Sequence, residues 1–137
     1  MCFARISSKL ASYLPKARRM KILILNDEES LRNIMAAVLT KAGHEIEAVG
    51  DGDTALRLYC ESGPYDLVVS DVRHLGIDGI ELVKRIRERN PAQAVAFVSG
   101  ILGVVELEHR PRFPILPTPF QQQELLDFID SIGIGAG

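Results

Sequence analysis

Val68-Val69-Ser70-Asp71 is a short apolar run that ends on a single carboxylate. The residues that follow, Val72-Arg73-His74-Leu75-Gly76-Ile77-Asp78-Gly79, are polar and turn-rich enough to form a loop. An apolar run with no polar residue until its end is what a strand buried on both faces requires. Open α/β sheets gather their chemistry beyond the carboxyl ends of such strands. Asp71 is therefore the first candidate functional residue.

The same pattern recurs on either side of it. Ile22-Leu23-Ile24-Leu25 is another continuous apolar run, ending at Asn26-Asp27-Glu28-Glu29. Leu31, Ile34, Met35, Val38 and Leu39 then follow helical spacing, with acids in the first turn to complement the helix dipole and Gly43 to close it. Residues 45–49 alternate as an edge strand. Asp51-Gly52-Asp53 opens a second helix carrying Ala55, Leu56, Leu58 and Tyr59, broken by Gly63-Pro64. The strand that bears Asp71 spans residues 66–71. Asp78-Gly79 starts a third helix with Ile80, Leu82, Val83 and Ile86 inward, ended by Asn90-Pro91. Residues 94–98 form a fourth strand running into Ser99-Gly100, residues 113–116 a short fifth, and residues 121–132 a last helix. About five strand–helix alternations with short connections and right-handed crossovers imply an α/β fold, a doubly wound five-stranded parallel sheet.

A chain of 137 residues, 47% apolar and 25% charged, has the length and composition of one ordinary globular domain. The net charge of −2 conceals an asymmetry. Residues 1–21 hold six of the 16 basic residues and no acid, which leaves ten bases against 18 acids in the remainder. An acidic body argues against direct nucleic-acid binding. Cys2 and Cys60 are too few for a disulfide framework or a zinc site, and Cys60 falls on a helical apolar face, where a core role is expected. No apolar run approaches the roughly 20 residues needed to span a bilayer. A cytoplasmic location without a transmembrane segment is expected.

Three domain segments follow: a basic N-terminal extension over 1–20, the α/β domain over 21–132, and a Gly-rich, flexible tail over 133–137. In the extension Phe3, Ile6, Leu10, Tyr13 and Leu14 recur at helical spacing, and Pro15 interrupts them. Three readings stay open. Met20 is the natural start and the extension an artefact; the extension is a helix docking on the domain or on a second copy, giving a homodimer; or it contacts acidic membranes or acts as a targeting segment.

In a doubly wound sheet the residues after the strands converge on one edge. They are Asn26 and Asp27, Asp71, Ser99, and Thr118-Pro119. Two carboxylates, an amide and two hydroxyls make a hard-oxygen set suited to Mg²⁺, and a carboxylate nucleophile can form an acyl phosphate. Rival phosphate chemistries lack their motifs: there is no Gly-rich loop ending in Lys-Ser/Thr and no GxGxxG after the first strand. His44, His74 and His109 are scattered and are expected in loops or at the surface.

The chain from Lys21 to Ile132 resembles the receiver domain of two-component response regulators. The resemblance rests on Ile22 to Asp27 as first strand and acidic pair, Asp71 in the phosphoacceptor position, and Asp78-Gly79 after it. Ser99-Gly100 stands where the family has its switch hydroxyl and small neighbour, and Pro119-Phe120 matches the end of the last strand. It implies strand order 2-1-3-4-5. It also implies Mg²⁺ held by Asp27, Asp71 and the Arg73 backbone carbonyl, with Asn26 acting through water. Ser99 would be the switch, and Arg73, Gly100, Thr118 and Pro119 would flank the site. A cis Thr118-Pro119 bond is expected from the corresponding bond in relatives.

The departures are as informative. Asn26 replaces an acid, which implies weaker Mg²⁺ binding than in typical receivers. Thr118 replaces the family lysine that pairs with the phosphoryl group, and His74-Leu75 replaces the usual Met-Pro. Arg73 is either a solvated loop residue or a compensating cation. Only 18 residues separate Ser99 from Thr118, with Pro111, Pro114 and Pro117 among them, so a shortened fourth helix around Val104 to Glu108 is expected. Two functions remain open. One is a stand-alone receiver, not an enzyme beyond self-phosphorylation and self-dephosphorylation. It would be phosphorylated by a histidine kinase or phosphotransfer protein and act on a downstream protein target. The other is a pseudo-receiver that docks proteins without phosphorylation.

Overall fold

The strands separate two apolar cores because their side chains alternate. The computed structural model describes residues 19–72, 78–100, 103–104 and 113–136. Its elements are β1 (Lys21–Leu25), α1 (Glu29–Lys41), β2 (Glu45–Val49), α2 (Gly52–Ser62), β3 (Leu67–Ser70), α3 (Gly79–Arg89), β4 (Val95–Ser99), β5 (Ile115–Pro117) and α4 (Gln122–Ala136). All four strand pairings are parallel, in the order β2-β1-β3-β4-β5. Ile22, Ile24, Val69, Ala96 and Val98 meet Met35 and Leu39 of α1 and Leu125 and Ile129 of α4 on one face. Leu23, Leu25, Val68 and Phe97 meet Ala55 of α2 and Leu82, Val83 and Ile86 of α3 on the other. Neighbouring residues of one strand thus serve opposite cores, the period-two rule at work. The expected doubly wound sheet and strand order are found.

Local chemistry sets the element ends. Asp51 caps α2, accepting from the Thr54 N–H at 2.8 Å and its Oγ1 at 2.9 Å, and these hydrogen bonds hold its carboxyl below the usual carboxylate range. Asp78 caps α3 by accepting from the Glu81 N–H at 2.8 Å. Gly43, at φ 105°, takes the left-handed turn that ends α1.

Several expectations need correction. Cys60 is exposed, because α2 turns Ala55 and, less deeply, Tyr59 inward and leaves position 60 outside that face. Ile34, expected inward, is 54% exposed, since Met35 and Leu39 occupy the centre of the α1 stripe. The third strand is shorter than residues 66–71, spanning Leu67–Ser70. The Asp66 and Asp71 N–H groups at its ends still donate to Lys21 O and Leu25 O at 2.8 and 2.9 Å, and the Asp66 carboxylate accepts from the Lys21 N–H at 2.8 Å. The fifth strand begins at Ile115, because the Phe113 ring turns edge-on to Phe97. The last helix continues past Ile132 to Ala136, with Ile132 on the core and Gly133 buried. Both Gly63-Pro64 and the expected Thr118-Pro119 bond are cis. Residues 1–18 of the 1–20 extension and residues 105–108 of the fourth helix expected around Val104 to Glu108 lie outside the described residues, although Gly103 and Val104 are helical.

His44 lies in the loop between α1 and β2, as expected, but it is buried there, at 7% exposure, and its Nδ1 accepts from the Met20 N–H at 3.1 Å. Only an unprotonated Nδ1 can accept. Burial lowers the His44 pKa, opposed by Asp130 and assisted by Arg19. The unfolded chain therefore takes up the proton first. This contribution to stability is complete above the ordinary histidine value of about 6.5 and is lost as pH falls from there through the lower folded value. Urea midpoints between about pH 7.5 and 5.5 should fall for the native chain, and His44→Gln should flatten that limb.

Candidate functional site

Four of the five strands, β1, β3, β4 and β5, each lead into a polar group at the same edge. β1 ends at Asn26, 3% exposed, whose N–H donates to Val49 O at 3.1 Å and whose Oδ1 accepts from the Glu28 N–H at 2.9 Å. Arg32 Nη1 donates to the Asn26 carbonyl at 2.8 Å, so the turn after β1 is fixed from two sides. β3 delivers Asp71, whose N–H donates to Leu25 O at 2.9 Å. β4 delivers Ser99, 5% exposed, and the Thr118 N–H after β5 donates to Ser99 O at 2.9 Å.

Asn26, Asp71, Ser99, Gly100 and Thr118 line one cleft, as expected, and Glu28, Leu31 and Val98 complete its wall. The cleft measures ≈ 70 Å³. About 10–15 Å³ of such space holds one water, so the cleft has the scale of an ion with a few waters. Asp27 is exposed and does not line the wall; Pro119 is exposed beside it. Arg73, with its carbonyl, lies outside the described residues. Glu28 was not anticipated, and its position just past the acidic pair was the available signal.

Two carboxylates, Glu28 and Asp71, an amide and two hydroxyls thus face a small cleft that no Lys or Arg lines among the described residues. Hard oxygen donors of this kind suit Mg²⁺, which is commonly held by one or two carboxylates with several retained waters. Among the described residues no cluster of three His, Cys, Asp or Glu side chains stands ready to hold a metal without such waters.

Two glycines set the spacing. A Cβ at Gly79 would lie 1.9 Å from the Asp71 carbonyl oxygen and 2.8 Å from Ser70 Oγ, so α3 approaches the end of β3 this closely only with glycine there. A Cβ at Gly103 would lie 1.9 Å from Ser99 Oγ and 3.1 Å from Val72 Cβ. The first lies within the Asp78-Gly79 pair read as a helix start; nothing in the sequence flagged the second.

The sequence matches the response regulator receiver domain over residues 22–129. The chain belongs to that family. It is 31% identical to the response regulator protein FleR of Pseudomonas aeruginosa over 118 residues, 84% of this chain and 25% of FleR. With the response regulator receiver protein CpdR of Brucella abortus it shares 29% over 119 residues, 85% of this chain and 98% of CpdR. The receiver thus spans about a quarter of one curated relative and nearly all of another. The crystal structure of a response regulator receiver protein from Sinorhizobium medicae WSM419 superposes with a TM-score of 0.75 at 26% identity, covering 88% of this chain and 98% of that one.

The receiver's steric constraint is measurable. Gly79→Ala should destabilise the fold by about 1–3 kcal/mol, the usual range for overpacking, because the clash is with backbone. Urea unfolding of the pair of proteins checks it.

Proposed function

We propose that this receiver accepts a phosphoryl group on Asp71 from a phosphohistidine of a histidine kinase or phosphotransfer protein. The observation that carries the reading is the convergence of Asp71 with Asn26, Ser99 and Thr118 in one cleft at the strand ends. An Asp71 carboxylate oxygen attacks phosphorus and the P–N bond breaks, its electron pair staying on the departing ring nitrogen; the proton already carried by the other ring nitrogen leaves the imidazole neutral. The Ser99 and Thr118 hydroxyls donate to the phosphoryl oxygens. Receiver domains generally bind Mg²⁺ for phosphorylation; here Asp71, Asp27 and the Arg73 carbonyl would hold it, with Asn26 acting through water and Glu28 adding wall charge. When bound, the cation neutralises the carboxylates and polarises the phosphoryl group. The domain runs from residue 21 to the end of α4 at Ala136 and acts by protein contact in the cytoplasm with no direct nucleic-acid role; the 1–20 extension, where the cell makes it, docks on the domain, on a second copy or on an acidic membrane.

Incubation with acetyl phosphate and Mg²⁺ should add the mass of one phosphoryl group, and Asp71→Asn should abolish the gain. A folded native chain that gains no mass would overturn the reading.

A second reading, a pseudo-receiver docking partners without phosphorylation, is favoured by the lack of a Lys or Arg among the described residues lining the cleft. It requires that Asp71→Asn leave partner binding unchanged. The missing cation also has a quantitative consequence. A hydrogen bond to a charged group contributes about 1.5–3 kcal/mol, or roughly tenfold to a hundredfold in an equilibrium constant. Thr118→Lys should therefore raise the ratio of phosphorylated to free Asp71 at a fixed donor concentration by about tenfold or more, read by intact mass.

A further inference from the structure

A second concavity shares no lining residue with the Asp71 cleft. It lies between α3 and the segment before β5, lined by Ile80, Val83, Lys84, Arg87, Phe97 and Phe113. Val83 and Phe97 are buried, and the Phe113 ring meets Phe97 edge-on at 5.3 Å and 84°. The Arg87 guanidinium lies 4.9 Å from the Phe113 ring centroid, and one of its Nη atoms donates to the Gln93 carbonyl at 3.1 Å. Arg87 Nε is buried and has no hydrogen-bond partner among the described residues, so only the Nη end of this guanidinium is left for a group from outside. Lys84 is exposed beside it.

Size selects the occupant. The groove measures ≈ 210 Å³, below the roughly 300–1,000 Å³ of small-molecule sites but ample for one aromatic side chain. A single buried anchor of that kind is how many protein interfaces concentrate their binding energy. Charge selects its neighbours. α3 holds four of the ten basic residues after position 21, against two acids, in a body that is otherwise acidic. The basic extension over 1–18 has the wrong sign to fill the groove.

We infer that this groove docks an acidic segment of a partner protein, one aromatic or large aliphatic side chain entering against Phe97 and Phe113 while carboxylates meet Lys84 and Arg87. The inference identifies the chemistry of the protein contact proposed above, yet it does not require phosphorylation. It is tested on the unphosphorylated full chain, so its failure leaves the Asp71 reaction standing.

The probe is a capped pentapeptide with one phenylalanine between pairs of glutamates, followed by backbone-amide NMR shifts. Shifts should cluster at Ile80, Val83, Lys84 and Phe97 with Kd below about 1 mM. Replacing the phenylalanine with alanine, or the glutamates with lysines, should abolish them. Lys84→Glu, a surface change expected to keep the fold, should weaken binding by about tenfold or more. No shifts at these residues at millimolar peptide, equal binding of the alanine or lysine analogue, or indifference to Lys84→Glu would each overturn the inference. So would concentration-dependent self-association that Lys84→Glu removes, since the occupant would then be a second copy.

Discussion

The backbone of Asp71 is held at three points, and the site depends on that. Its N–H is fixed to Leu25 O in the β1–β3 ladder, and its carbonyl accepts from Ser70 Oγ at 2.7 Å. The same carbonyl is approached so closely by Gly79 that no side chain fits between them. The Gly79 N–H donates to Val72 O at 3.0 Å, which ties the two ends of the intervening loop together. The loop carrying Arg73 therefore leaves and returns at fixed points. Placement of the Asp71 backbone follows from strand pairing and α3 packing.

The period of the strands then distributes functions between the two faces. Along β4, Phe97 faces α3 and forms the floor of the apolar groove, while Val98 faces α1 and α4 and lines the cleft. Ser99 follows at the mouth, beside the turn that Gly103 allows to approach. One five-residue strand thus supplies a wall to both concavities.

Most of this architecture was legible because burial on both faces leaves a plain mark: continuous apolar runs at 22–25, 67–69 and 95–98, each followed by a polar residue. Caps at Asp51 and Asp78 were equally plain, since their side-chain acceptors act locally. What was not legible depends on contacts distant in sequence. Nothing local marks the loop residue His44 as buried until Met20, 24 residues away, brings its N–H to Nδ1. Cys60 and Ile34 sit at the margins of apolar stripes, where helix rotation decides exposure and spacing does not. Glu28 was not singled out beside Asp27, because which of several neighbouring carboxylates lines a cleft is a matter of turn geometry.

The two departures at the site offset one another electrostatically. Relative to the resemblance, Asn26 removes one negative charge from the cleft and Thr118 removes one positive charge. Had the lysine alone been lost, Asp71 and Glu28 would share a small cleft with a third, buried carboxylate. Position 26 is 3% exposed, where an unpaired charge is costly. The amide avoids that cost and still holds the turn, since its Oδ1 accepts from the Glu28 N–H. The free site thus keeps its charge balance. A phosphoryl group on Asp71, as proposed, would not share in this balance, because it would add negative charge where the described cleft wall offers hydroxyls and no cation. On that reading the substitutions preserve the charge balance of the unmodified site and withdraw support from the modified one.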